Sequence, residues 1–176
     1  MTALIPGVLS FVFFLYYDIL NLRASRAARW IFSAGGLLLS VSTALFAAES
    51  AGRAFIYRPI LSVAGLVGAF CSLAALLYAL FIALPARETY IEGGRRRVIA
   101  RGIYSLCRHP AVWAFSAFYL SLYIMLASKP SLAAWLLFTA LNIAYSAAQD
   151  RWILPKVLDG YEEYRKSVPF LIPRFK

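Results

Sequence analysis

The sequence predicts an all-α integral membrane protein: a single bundle of five transmembrane helices over residues 1–176, ending in an amphipathic C-terminal segment. Three observations carry this. Hydrophobic residues make up 62% of the 176 and charged residues only 15%, against about 45–50% and about 25% in soluble domains. The apolar residues come in continuous runs, and a bilayer-crossing helix takes roughly 17–25 of them. The basic residues are sorted between alternate connections instead of scattered. Together these exclude a water-soluble globule and a disordered chain. Two cysteines exclude a disulfide-stapled fold, and the runs lack the alternation of barrel strands.

The first run, Ala3–Leu20, has no Lys or Arg ahead of it and no small-residue cleavage site at its end. It therefore reads as a permanent helix, not a signal peptide. Asp18 lies near its end, where a carboxylate is expected to snorkel to the interface. The second run is Trp30–Ala48. The third, Ile60–Leu84, is 25 residues without a charge. The fourth and fifth, Ala111–Ser128 and Ser131–Ala148, are separated only by Lys129 and Pro130, so they are expected to form an antiparallel hairpin.

Of the 18 basic residues, 15 fall in the first connection, the third connection and the tail. Arg53, Arg58 and Lys129 are the exceptions. The positive-inside rule then puts the N-terminus outside and the tail in the cytoplasm, and an odd number of spans requires that opposition. The same sorting accounts for the Arg95–Arg97 run, and with no nucleic-acid-binding motif in the chain the bilayer, not a nucleic acid, is the expected partner.

Polar residues gather in two segments expected on the cytoplasmic side, 85–110 and 149–176. They hold six of the eight acids: Glu88, Glu92, Asp150, Asp159, Glu162 and Glu163. In the tail, Ile153, Val157, Tyr161, Tyr164 and Val168 recur at helical spacing, which predicts one amphipathic stripe opposite Lys156, Asp159, Glu162, Glu163 and Lys166. Pro155 suits a first helical turn. Val168-Pro169 and Ile172-Pro173 favour an extended end, with Trp152, Phe170 and Phe175 as interface aromatics.

One histidine and two distant cysteines do not make a zinc-type site, so no metal is expected. Cys71 reads as packing. Cys107 has basic neighbours able to lower its pKa, but no base with an orienting third group accompanies it. Pro110 fits the first position of a helix, whose free N–H groups bind anions.

Gly102-x-Tyr104-x-x-x-Arg108-His109-Pro110, a tight helical hairpin, and then Tyr161-x-x-Tyr164-x-x-x-Val168-Pro169-x-x-Ile172-Pro173 resemble the isoprenylcysteine carboxyl methyltransferase family, with phospholipid N-methyltransferases as wider relatives. The likeness covers about residues 85–176. The chain departs from the family pattern at Val112, where a tyrosine is expected, and at Ala114, where a glycine is. Gln149 and Asp150 stand for a pair of acids, Ile153 for a leucine, and Val157 and Leu158 for Phe-Gly.

The resemblance implies a membrane enzyme with a cytoplasm-side pocket for S-adenosylmethionine and a lipophilic small molecule or lipid as methyl acceptor. It assigns Arg96, Arg97, Val98 and Ile99 to a strip that wraps the cofactor, largely by backbone. Tyr104 becomes a pocket tyrosine, His109, Pro110, Ala111 and Val112 the mouth of the fourth span, and Gln149 the position of a cofactor-contacting acid. A glutamine there keeps hydrogen bonding but loses the charge-assisted bond to an ammonium. Asp150 is the candidate for catalytic assistance to an amine acceptor. Two rivals remain: a non-catalytic accessory or lipid-binding protein of the same fold, which Val112 and Gln149 favour, and a small NADPH-dependent membrane reductase.

Overall fold

The computed structural model describes residues 2–22, 28–83, 96–98 and 100–174, without the side chains of residues 29, 96 and 97. The fold is all-α. A short turn, Thr2–Leu4, leads into α1 (Ile5–Leu22), and α2 (Ala28–Tyr57) and α3 (Pro59–Leu77) follow, α3 running on into a wider π turn at Tyr78–Ile82. Next come β1 (Arg96–Arg97), a tight turn at Gly102–Ser105, α4 (Pro110–Leu126) and α5 (Lys129–Ala148). The chain ends with a π turn (Gln149–Ile153), α6 (Leu154–Val157), β2 (Leu158–Asp159) and α7 (Tyr161–Ser167).

Among the described residues, four helical stretches are long and apolar enough to cross a bilayer: Thr2–Leu22, Trp30–Tyr57, Pro59–Ile82 and Lys129–Val157. The expected fourth span is α4, a shorter apolar helix of 17 residues, which at 1.5 Å per residue reaches about 25 Å, short of the roughly 30 Å hydrocarbon core. The outward faces are apolar: Leu37, Val63, Phe70 and Leu136 are each more than half exposed. Such continuous apolar surface suits lipid, not water.

Three boundaries differ from the sequence reading. Helix α2 continues past Ala48 to Tyr57, because nothing before Pro59 breaks it; Arg53 is therefore helical, its guanidinium donating to the Glu49 carbonyl at 3.4 Å. The loop expected at Arg53 and Arg58 reduces to Arg58, whose backbone leaves the helical conformation (φ −141°, ψ 52°) ahead of Pro59 in the first turn of α3. The α4–α5 hairpin turns at Ala127 and Ser128, not at Lys129 and Pro130. Ala127 adopts the left-handed conformation (φ 47°), and Ser128 caps α5 through a reciprocal pair of bonds with Ser131, which leaves Pro130 inside the first turn.

The tail departs most. The predicted continuous stripe is broken at β2, which pairs in parallel with β1, Arg96 opposite Leu158 and Arg97 opposite Asp159. Gly160 follows at φ 79°, a conformation that favours glycine, and leads into α7. The stripe residues Ile153, Tyr161, Tyr164 and Val168 are nonetheless buried. Short-range periodicity found the buried side chains; the long-range pairing with β1 overrode the helix between them.

In the bundle, Phe11, Phe46, Phe115, Tyr119 and Phe138 form an aromatic core joining α1, α2, α4 and α5. Helices α3 and α4 come close because the α3 face is small: Ser62, Gly65 and Ala69 are buried there, and the Ser62 hydroxyl donates to the Met125 carbonyl at 2.9 Å. This packing anchors α4, and α4 presents Arg108 and His109 at its start.

Candidate functional site at the entrance of α4

Pro110 starts α4 without needing an amide partner, so the residues before it are free to project from the end of the helix. Arg108 meets Asp150, held in the π turn after α5, through two parallel bonds: Nε to Oδ1 at 2.8 Å and Nη2 to Oδ2 at 3.0 Å. Its remaining nitrogen, Nη1, donates to the carbonyls of Arg165 (2.7 Å) and Val168 (2.9 Å). Asp150 also accepts from the Tyr161 hydroxyl at 2.5 Å, has His109 Nε2 at 3.3 Å, and has Arg165 Nε at 3.6 Å. Both carboxylate oxygens are thus engaged, and the side chain is only 7% exposed.

The tail is tied across this centre by its backbone. The amides of Arg108, His109 and Arg174 donate to the carbonyls of Pro169 (2.9 Å), Phe170 (3.3 Å) and Leu106 (3.0 Å). The Trp113 indole donates to the Leu171 carbonyl at 2.8 Å, and the Phe170 ring meets the His109 imidazole edge-on at 5.0 Å between centroids.

The electrostatics follow from burial. Desolvation lowers the His109 pKa below its ordinary 6.5, and the Arg108 charge adds to this; the Asp150 carboxylate opposes both. A neutral imidazole with Nε2–H directed at Asp150 is the tautomer that satisfies the pair. Burial and then the Asp150 carboxylate raise Tyr161, keeping it a donor. Burial pushes Tyr104 up to about 12 and also raises Tyr164. Cys107 corrects an expectation: in spite of its basic neighbours, burial raises its thiol, which disfavours the thiolate.

Tyr104 donates its hydroxyl to the Ala79 carbonyl at 2.8 Å and accepts at its own carbonyl from Tyr164 at 2.6 Å. Val98 packs on the cluster of Tyr161, Tyr164 and Val168, and its amide donates to the Asp159 carbonyl at 3.2 Å. His109, Pro110, Ala111 and Val112 open α4, with Val112 buried. Arg96 and Arg97 lie on β1, described by backbone alone, and Ile99 lies outside the described residues, as do Glu88, Glu92, Arg95 and Phe175.

Gln149 points elsewhere. Its amide donates to Asp18 Oδ2 at 2.9 Å and to the Tyr145 hydroxyl at 2.8 Å, and Tyr145 in turn bonds Asp18. Asp18 is 5% exposed, not snorkelling to the interface. The expectation failed because hydropathy places a residue along a span but not around it.

The sequence reading did not single out Arg108, Tyr161, Arg165 or Tyr145 as site residues. Arg108 and Tyr161 were visible as motif letters; nothing local marked Arg165 or Tyr145, whose roles come from contacts 15 and 127 positions away. Among the described residues, no group of three or more His, Cys, Asp or Glu is arranged to hold a metal. Compared with protein-family models, with curated proteins and with solved structures, the chain matches none.

Proposed function

We propose that this protein is an S-adenosylmethionine-dependent methyltransferase of the membrane, acting on a lipophilic small molecule or lipid at the cytoplasmic face, with α4 as a fifth, short span. One observation carries the reading. The residues on which the family resemblance rests, dispersed from Tyr104 to Pro169, bond to one another: Arg108 to Asp150 and Val168, Tyr161 to Asp150, Tyr164 to Tyr104, and the Arg108 amide to Pro169. Residues matching a motif by chance have no reason to form one network.

The Gln149 amide oxygen offers an acceptor to the cofactor's ammonium. When bound, the cofactor supplies an electrophilic methyl on a sulfonium whose departure leaves a neutral thioether. The protein then needs no general acid, and a carboxylate acceptor needs no base. The role left to the chain is positioning and the exclusion of water. The β1 strip with Val98, Tyr104, and His109 through Val112 would line the cofactor. Asp150, saturated by Arg108, Tyr161 and His109, would hold the tail over the α4 entrance. An amine acceptor would have to arrive already neutral.

A second reading, a lipid-binding or accessory protein of the same fold, is favoured by the same saturation: Tyr104 and Asp150 already have protein partners. Thermal melting of the purified protein in detergent, with S-adenosylmethionine and separately with NADPH, distinguishes these. A ligand at a hundred times its Kd stabilises by about 2.7 kcal/mol. A rise with S-adenosylmethionine alone, lost in His109→Ala and Tyr104→Phe but kept in Arg53→Ala, supports methyl transfer. No rise at millimolar S-adenosylmethionine overturns it, and a rise only with NADPH turns the reading to a reductase.

A further inference from the structure

The tail strap has an outer side that methyl transfer does not use. There, a cleft of about 450 Å³ is lined by Arg165, Lys166 and Arg174, and no acidic residue lines it, although Glu162 and Glu163 stand on the same helix. Arg108 forms part of the wall, but its nitrogens are committed to Asp150 and to two carbonyls. Arg165 is held only loosely, at 3.6 Å from Asp150, with its side chain 40% exposed. Lys166 and Arg174 are exposed. The three backbone bonds from Arg108, His109 and Arg174 pin the strap that forms the cleft.

Its depth in the membrane follows from two neighbours. Trp113, in the first turn of α4, is 54% exposed and bonded to the strap, and Ile172 is 77% exposed. An exposed indole at the end of an apolar helix belongs at headgroup level, and an isoleucine so open beside it has acyl chain or glycerol to cover it.

The geometry points to this cleft as a binding site for the phosphate of an acidic phospholipid. Guanidinium forks on Arg165 and Arg174 match phosphate oxygens in pairs, Lys166 adds a point charge, and Ile172 and Trp113 meet the apolar part of the lipid. Membrane topology alone accounts for basic residues near a helix end. It does not account for three of them around one fixed concavity that holds no acid. This proposal is independent of methyl transfer.

The test uses the full chain in a non-ionic detergent, titrated by calorimetry with short-chain phosphatidic acid, with phosphatidylcholine of the same chains, and with inorganic phosphate. Phosphatidic acid is expected to bind about 100-fold tighter than phosphatidylcholine, since each of the three basic residues near an anionic lipid contributes about fivefold. The double variant Lys166→Gln/Arg174→Gln should lose about 25-fold for phosphatidic acid on the same basis and nothing for phosphatidylcholine. If that variant melts below the parent, Lys166→Gln alone, on the exposed side of a short helix, should still lose about fivefold. Equal affinity for the two lipids, or undiminished affinity in the variants, overturns the proposal. So does inorganic phosphate binding as tightly as the lipid, which would mark a free-anion site.

Discussion

The Arg108 guanidinium and the Asp150 carboxylate lie face to face in a buried fork, 2.8 Å and 3.0 Å apart at its two contacts, and join the entrance of α4 to the end of α5. The rest of the site is hung on this pair. Tyr161 brings α7 to it, and Arg108 Nη1 brings the carbonyls that follow.

Removing one member of a buried pair leaves the other charge uncompensated. Asp150→Asn should therefore lower stability by about 3–5 kcal/mol. Arg108→Lys keeps the charge but loses the fork, and should fall between Asp150→Asn and the parent. Tyr161→Phe removes one bond to a charged acceptor, about 1.5–3 kcal/mol. Thermal melting in detergent gives the order; a parent-like Asp150→Asn would mean that the fork contributes nothing to the fold.

The contact of Gln149 with Asp18 at 2.9 Å changes what an acid at position 149 would do. Gln149→Glu alone sets two carboxylates against each other, so it should melt lower than the parent. The double variant Asp18→Asn/Gln149→Glu restores a donor–acceptor pair and should recover most of the loss, a coupling measurable as a double-mutant cycle. On the methyltransferase reading, S-adenosylmethionine should bind tighter in the double variant than in the parent, because a glutamate at position 149 offers its ammonium a charge-assisted bond. Simple additivity of the two substitutions would show that the residues do not interact.

Gly65 lets α3 approach α4 to backbone contact. A Cβ there would sit 2.4 Å from the Met125 amide nitrogen and 2.7 Å from the Ser121 carbonyl oxygen. Neither atom can move without moving α4, so Gly65→Ala should cost about 1–3 kcal/mol as overpacking. Gly36→Ala, where a Cβ meets nothing within 4 Å, is the control and should be neutral or slightly stabilising. Matching melting curves for the two variants would rule out the close approach.

His109 gives a pH dependence with a definite sign. The unfolded chain takes up a proton near the ordinary value of 6.5, whereas the folded chain resists it to lower pH. In that window the unfolded state binds more protons, so stability rises with pH and is lost as the pH falls below 6.5. The groups facing the imidazole are Asp150, Arg108 and the Phe170 ring. His109→Gln should flatten the melting temperature between pH 5 and 7 relative to the parent (a range set about the ordinary histidine pKa). An identical slope in the variant would assign the effect to another group.

Much of the bundle was legible in the sequence because a span is a local property. Apolar runs identified α1, α2, α3 and α5 to within a turn or two, with α2 longer than read because its end depends on Pro59 and not on hydropathy. The motif letters Tyr104, Arg108, His109, Tyr161 and Tyr164 marked the region of the site. They did not reveal that Asp150 would be enclosed by Arg108 and Tyr161, nor that Gln149, its neighbour in sequence, would turn to α1 and meet Asp18. One helical step of about 100° separates those two directions, and only the packing of α1 and of the tail decides what each meets.

By itself the sequence determined an all-α chain with apolar, bilayer-length helices and polar residues gathered at particular connections. Composition and run length suffice for that, because a backbone in hydrocarbon must satisfy its hydrogen bonds within each helix. The tertiary structure decided the rest: the two-residue bridge that breaks the tail helix, the enclosure of Asp150, and the burial of Asp18. These depend on polar groups far apart in the chain finding each other where water is absent, and no local pattern encodes which of them will meet.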